Sequence, residues 1–116
     1  MKSYMKLLKN NMKKFITILL FLLSFSVYSQ DISVIHFNYK WNQKNDYSKL
    51  QSIKRANVSK AFVEEQGEDL QNSIKSVPTI IIFRNGKPIA RLEAGLSMKI
   101  ETKLEDIQEL VDRYQQ

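Results

Sequence analysis

Residues 79–83 (TIIIF) are an unbroken run of β-branched and aromatic side chains, and the pair Asn85-Gly86 follows one residue later. Such a run is typical of a strand that is buried on both faces of a sheet. Asn-Gly favours a two-residue hairpin turn, because both turn positions require positive φ. Residues 88–94 then alternate apolar and charged side chains, and Pro88 places the strand that they form at or near a sheet edge. The chain is therefore predicted to contain a buried strand paired with an edge strand through a tight turn.

The rest of the chain shows two further strand patterns and three helix patterns. Residues 31–39 (DISVIHFNY) place apolar side chains on both faces, which indicates a central strand, and residues 57–64 indicate a second strand. Apolar residues at helical spacing predict helices over residues 44–55 and 68–76. A capping box (TKLE) at residues 102–105 predicts the start of a last helix. The predicted order is β-α-β-α-β-β-α, which describes one α/β domain.

The first 29 residues have the composition of a secretory signal peptide. A lysine-rich lead precedes the apolar run at residues 15–25 (FITILLFLLSF), and small or modest side chains follow it. A membrane-spanning helix needs about 20 apolar residues, and this run is much shorter. We therefore predict a signal peptide at residues 1–29, with cleavage between Ser29 and Gln30.

Removal of this segment would leave residues 30–116 as the folded domain, in the periplasm or outside the cell. No cysteine stands at the cleavage site, so lipid attachment there is excluded. Met12 would open a more compact signal than Met1, and both starts remain open. Five of the 18 basic residues and none of the 12 acidic residues lie in the segment, so the domain carries a net charge of only +1. We therefore expect neither nucleic acid nor, after cleavage, a membrane as its partner.

Two segments of the predicted domain carry a resemblance to a known family. Residues 34–41 (VIHFNYKW) form a strand pattern that ends in a tryptophan, and residues 76–87 (SVPTIIIFRNGK) place Pro78 directly before a buried strand and its hairpin. The first segment resembles the thioredoxin strand that leads to a Cys-x-x-Cys motif at a helix start, and the second resembles the thioredoxin cis-proline segment. Gly95 also falls where that family has a glycine. The resemblance covers about residues 31–114 and implies a thioredoxin-like fold, a central mixed sheet flanked by helices, with a cis bond before the proline.

The same resemblance identifies what the chain lacks. The family's two active-site cysteines correspond to Asn42 and Asn45, with Gln43 and Lys44 between them, and His36 stands where the family buries an acidic residue. The family's extra N-terminal strand and helix are missing, so a trimmed fold is implied. Thiol–disulfide exchange requires a thiolate nucleophile, and the chain contains no cysteine. We therefore expect a redox-inactive protein that is not an enzyme, with these five residues as its degenerate active site.

Other chemistries lack their residues as well. The chain has one histidine, so neither a Ser–His pair nor a histidine-based metal site has its partners. No Gly-rich phosphate loop is present. We expect neither a metal nor a cofactor, and we interpret His36 as a core histidine.

The implied function is binding of a protein or peptide segment beside the cis-proline loop. Backbone groups that precede a cis-proline can pair with an extended peptide as an added strand does. We therefore predict Trp41, Val77 and Pro78 as partner-binding residues that border a shallow groove. Two alternatives stay open: a structural subunit of an envelope redox or assembly complex, and disulfide exchange with cysteines that a partner supplies.

Two features of the sequence allow two interpretations each. Trp41 either contacts a partner or packs half-buried on the helix that follows it. The alternating residues Leu96, Met98 and Ile100 form either an added edge strand or an exposed apolar contact. Each pair of interpretations predicts a different exposure of the side chains concerned.

Overall fold

A computed structural model describes residues 31–115 of the chain. The predicted signal peptide at residues 1–29 and its cleavage site lie outside the described residues. Within residues 31–115, no helix is long and apolar enough to cross a membrane.

Four strands form one mixed sheet in the order β2-β1-β3-β4. The strands are β1 (Ile32–Asn38), β2 (Asn57–Phe62), β3 (Thr79–Arg84) and β4 (Lys87–Glu93). Strand β1 runs parallel to β2 and antiparallel to β3, and β3 runs antiparallel to β4. The mixed sheet, the interior positions of β1 and β3 and the edge position of β4 are confirmed.

The predicted hairpin joins β3 to β4. Asn85 and Gly86 both have positive φ, at 52° and 82°, as a tight two-residue turn requires. The register of the pair shifts between Ile82 and Phe83, and Pro88 lies opposite Phe83. An irregularity at this point accommodates a proline that cannot donate to the ladder, and only an edge strand tolerates it.

Two α-helices accompany the sheet, α1 (Glu68–Ser73) and α2 (Leu104–Tyr114). Helix α1 is shorter than predicted, because Ile74 leaves helical geometry to bury its side chain beside Val77. The prediction of a capping box at residues 102–105 is wrong. Lys103 is the N-cap of α2 and makes no side-chain capping bond, so the helix starts one residue later than the box requires.

The predicted helix over residues 44–55 is also wrong. Two short 3₁₀ segments, Lys40–Asn45 and Ser48–Ser52, replace it. Asp46 and Tyr47 separate them with ψ angles of 140° and 77°, outside the helical range. Side chains from two strands bind this break directly, and those contacts outweigh the weak helix propensity of a segment rich in Asn, Asp and Ser.

The sheet carries a hydrophobic cluster on each face. The larger cluster packs β1 and β3 against α2 and the Ser48–Ser52 segment, and the smaller one packs them against α1 and the loop before β3. Buried members of the larger cluster include Ile32, Val34, Leu50, Ile80, Ile82, Ile107 and Val111. Those of the smaller cluster are Phe37, Val63, Ile74, Val77 and Ile81. The smaller cluster includes Phe37, next to the carboxyl end of β1, where the candidate site begins.

Candidate functional site

The predicted degenerate active site lies where β1 ends and the Lys40–Asn45 segment begins. Trp41 leaves 62% of its surface exposed. Its ring stacks on the ring of Tyr39 with centroids 5.8 Å apart and planes at 17°. Gln43 and Lys44 are exposed on the same turn. The turn therefore presents an aromatic side chain to solvent on a supporting aromatic ring.

Asn42, at the first cysteine position, is only 1% exposed. Its Nδ2 donates to Asn38 Oδ1 at 3.2 Å and to the Met98 carbonyl at 3.4 Å. Its own carbonyl accepts from Asn38 Nδ2 at 3.0 Å. Asn45, at the second cysteine position, donates Nδ2 to Asn42 Oδ1 at 2.7 Å. We call Asn38, Asn42 and Asn45 the amide cluster, and it brings the two predicted positions into direct contact with their polar groups paired.

A second cluster lies beneath the turn, and we call His36, Asp46 and Lys60 the ionisable cluster. Asp46 Oδ2 lies 2.5 Å from Lys60 Nζ, and Asp46 Oδ1 lies 4.0 Å from His36 Nε2. The same Oδ1 accepts from Asn38 Nδ2 at 2.7 Å, which joins the two clusters. His36 Nε2 accepts a hydrogen bond from the Tyr47 backbone N–H at 3.1 Å. The imidazole is therefore neutral at Nε2, and it holds the break between the two 3₁₀ segments.

The charges of this cluster follow from its surroundings. Burial lowers the pKa of His36 below its ordinary value, and Lys60 adds to the decrease, while the Asp46 carboxylate opposes both. Burial alone would raise the pKa of Asp46, but hydrogen bonds from Lys60 and Asn38 hold it below its ordinary value. Near neutral pH the cluster thus contains an ionised Asp–Lys pair beside a neutral imidazole.

A cavity of about 160 Å³ adjoins the ionisable cluster. His36, Tyr47, Leu50, Val58 and Lys60 are among the residues that line it. Its volume is large enough for a few water molecules. Its walls combine apolar side chains with the neutral imidazole. Asp46, which sequence reasoning missed, lines it too.

The Val77–Pro78 peptide bond is cis in the structure. Both side chains are buried, and Val77 belongs to the smaller hydrophobic cluster. The Pro78 carbonyl accepts from the Ala94 N–H at 3.1 Å. Within residues 31–115, neither the N–H nor the C=O of Val77 takes part in a hydrogen bond. The side chains of Val77 and Pro78 are therefore enclosed by the fold, and the backbone N–H and C=O of Val77 have no hydrogen-bond partner within the described residues.

The loop after β4 settles one interpretation that the sequence left open. No strand forms at residues 95–100, and Ile100 is buried in the larger hydrophobic cluster. Leu96 is fully exposed and Met98 is 42% exposed. Because the Met98 carbonyl contacts the Asn42 amide, this loop lies beside the Trp41 turn. Leu96 and Met98 are exposed apolar side chains, and the edge-strand interpretation is wrong.

The described residues offer few groups for metal or redox chemistry. No group of three potential metal-ligating side chains comes together within residues 31–115. The whole sequence contains no cysteine, so no Cys-x-x-Cys motif exists. The site combines satisfied amides, one ion pair, one neutral imidazole and an exposed aromatic ring.

The four-stranded mixed sheet, its helices and the cis-proline loop beside the turn after β1 define a thioredoxin-like fold. The chain is similar to the structure of thioredoxin-2, described as a component of malaria parasite protein secretion machinery, at 22% identity and a TM-score of 0.53, covering 72% of this chain and 84% of that one. It is also similar to a mutant thioredoxin from Halobacterium salinarum NRC-1, at 22% identity and a TM-score of 0.55, covering 74% of this chain and 76% of that one. No family model and no curated protein matches the chain. The likeness confirms the fold implied by the sequence: the chain has a thioredoxin-like fold and contains no cysteine.

Proposed function

We propose that this chain is an exported, non-catalytic thioredoxin-like module that binds an extended segment of another protein. The observation that carries the proposal is the contrast between Trp41 and Asn42. Trp41 is largely exposed beside Asn42, which is buried and has its polar groups paired. The turn thus keeps an exposed contact residue while the reactive position is filled by an inert amide. Export is supported by the sequence pattern of residues 1–29.

Three exposed apolar side chains support the binding surface. Within residues 31–115, the large apolar residues that stand exposed are Trp41, Leu96 and Met98, which we call the Trp41 patch. The hydrogen bond between the Asn42 amide and the Met98 carbonyl brings the two loops together. Trp and Met are enriched at protein interfaces, and the flexible Met side chain adapts to different partners. An exposed aromatic anchor with adaptable neighbours fits recognition of a protein segment.

The backbone of Val77 supports an extended conformation for that segment. Its N–H and C=O make no hydrogen bond within the described part of the chain. Backbone groups without an intrachain hydrogen bond can pair with a partner strand, while side-chain contacts supply specificity. Val77 would provide the strand-like pairing, and the Trp41 patch would provide the apolar contact.

Replacing Trp41 should weaken binding without unfolding the protein. The probe is a displayed library of random heptapeptides, selected on the wild-type chain and measured by titration. Aromatic hot spots contribute about 2 kcal/mol or more, so Trp41→Ala should weaken a selected peptide by at least about tenfold. The free energy of unfolding should change by less than about 1 kcal/mol, because the side chain is mainly exposed and only stacks on Tyr39.

Lys87→Ala is the matched control for this experiment. Lys87 is an exposed residue of the β3–β4 hairpin, and the strand register places that hairpin at the opposite end of the sheet from Trp41. The control should bind the peptide like the wild type. Failure to select any peptide above background, or equal binding by the two variants, would contradict the proposal.

The chain should not accelerate thiol–disulfide exchange. Exchange passes through a mixed disulfide with a protein thiolate, and the chain has no cysteine to form one. In an insulin-reduction assay with dithiothreitol, the rate with the protein should equal the rate with dithiothreitol alone. A cysteine-containing thioredoxin serves as the positive control, and any turnover above the dithiothreitol rate would refute the non-catalytic assignment.

A further inference from the structure

At the break between the two 3₁₀ segments, the Tyr47 backbone N–H is bound by a single side-chain acceptor. His36 Nε2 accepts the Tyr47 N–H at 3.1 Å, and His36 is 2% exposed. The Tyr47 phenol is anchored separately, because its hydroxyl donates to the Thr102 carbonyl at 2.8 Å. The backbone at the break is thus held by a neutral imidazole, which can accept at one nitrogen only while that nitrogen carries no proton.

Protonation of His36 at Nε2 would abolish the hydrogen bond from the Tyr47 N–H. A hydrogen added to Nε2 would face the Tyr47 N–H, and two donors cannot share a hydrogen bond. The Asp46 carboxylate offers an acceptor for the new N–H, with Oδ1 4.0 Å from Nε2. The imidazolium would move toward that carboxylate and leave Tyr47 N–H without its acceptor. The adjoining cavity of about 160 Å³, which His36 and Tyr47 help to line, leaves space for such a movement.

The groups around His36 decide how readily it takes the proton. Asp46, at the break, attracts it, and Lys60, in register on β2, repels it. The residue in register on β3 is the buried Ile80, which adds no charge. On the side of α2, Glu105 and Asp106 act on Tyr47, whose phenol pKa is raised by burial first and then by these two carboxylates. The net effect on the histidine is a pKa below 6.5, because burial dominates.

We propose that His36 is a proton switch whose protonation releases the backbone at Asp46 and Tyr47 and rearranges the turn that carries Trp41. The rearrangement reaches the turn through two hydrogen bonds. Asp46 Oδ1 also accepts from Asn38, so its recruitment by the imidazolium competes with the amide cluster. Asn45, directly before the break, holds Asn42 at 2.7 Å. The switch concerns the conformation of residues 41–47 and stands whether or not the Trp41 patch binds a peptide.

The test is a pH titration of the chain by NMR, from about pH 7.5 to about pH 4.5, a range around the ordinary histidine pKa of about 6.5. His36 is the only histidine in the sequence, so its ring signals are unambiguous. We expect the ring to titrate with a midpoint below 6.5. The backbone amide of Tyr47 and the indole of Trp41 should shift with the same midpoint while β3 amides stay in place.

Two variants separate the switch from ordinary acid effects. His36→Gln supplies a carbonyl that can accept the Tyr47 N–H at every pH, so its Tyr47 and Trp41 signals should show no such transition. Asp46→Asn removes the attractive charge, so the midpoint of the histidine should fall further. If His36→Gln does not fold, the Asp46→Asn shift and the wild-type titration still decide the question.

The free energy of unfolding should also depend on the protonation of His36. The unfolded chain, with an ordinary histidine pKa, binds the proton at a higher pH than the folded chain does. The free energy of unfolding therefore loses a contribution as the pH falls from about 6.5 toward the folded pKa, and His36→Gln lacks this component. The proposal is overturned if the imidazole stays neutral until the whole protein unfolds. It is also overturned if Tyr47 does not shift with His36, or if His36→Gln shows the same transition.

Discussion

Asn42→Cys combined with Asn45→Cys is expected to form an intramolecular disulfide completely under mild oxidation. The side chains of the two positions already meet, with Asn45 Nδ2 2.7 Å from Asn42 Oδ1. Both belong to the Lys40–Asn45 segment, and because the backbone is kinked at Asn42, the direct side-chain contact rather than helical spacing is the basis of this expectation. A disulfide needs Cβ atoms only about 3.5–4.5 Å apart, which this arrangement favours. Intact mass without reductant should show the loss of two hydrogens, and a thiol assay should find no free thiol.

The matched control is Asn42→Cys with Lys44→Cys, which places the second thiol two residues away on an exposed part of the turn. This pair should retain free thiols or form dimers under the same conditions. Persistent free thiols in the 42/45 variant would show that the two positions do not face each other. In its reduced form, the 42/45 dithiol should reduce the insulin disulfides only slowly, because position 42 is buried beneath the Met98 carbonyl.

Ile82→Ala is expected to cause the largest loss of stability among single substitutions discussed for this chain. Ile82 is 0% exposed in β3, where it lies in register with Val34 on β1 and Ala90 on β4. Truncation of a buried Ile to Ala costs about 2–5 kcal/mol, through lost burial and the cavity left behind. Small domains have about 5–15 kcal/mol of stability in total, so this change removes a large part of it.

Urea denaturation followed by circular dichroism measures the effect. Leu96→Ala is the control, because Leu96 is fully exposed and its truncation should change the free energy of unfolding by no more than about 0.5 kcal/mol. A loss below about 1 kcal/mol in Ile82→Ala would mean that β3 is not the centre of the core.

The sheet could be predicted because its determinants are local. The apolar run of β3 and the Asn85-Gly86 pair each specify their structure within a few residues, and both are confirmed. The helix over residues 44–55 was wrong for the opposite reason. Its break depends on His36 and Lys60, which lie on two neighbouring strands, and no periodicity within the segment reports those contacts.

The residues of the candidate site were likewise predicted only in part. The resemblance supplied the spacing of Asn42 and Asn45, and the structure places their side chains in contact. Asn38 and Asp46 were missed, although they connect the amide cluster to the ionisable cluster. The parallel pairing of β1 with β2 puts His36 opposite Lys60, and this register emerges only once the sheet is assembled.

The stacked position of Trp41 on Tyr39 gives the chain an intrinsic optical probe. Trp41 is the only tryptophan in the sequence, so selective excitation of the indole reports on this turn alone. Since the ring is already mainly in contact with water, unfolding should change its emission wavelength little. A bound segment that covers the ring should shift the emission to the blue. Wavelength and intensity of one unlabelled fluorophore can therefore distinguish occupation of the surface from loss of the fold.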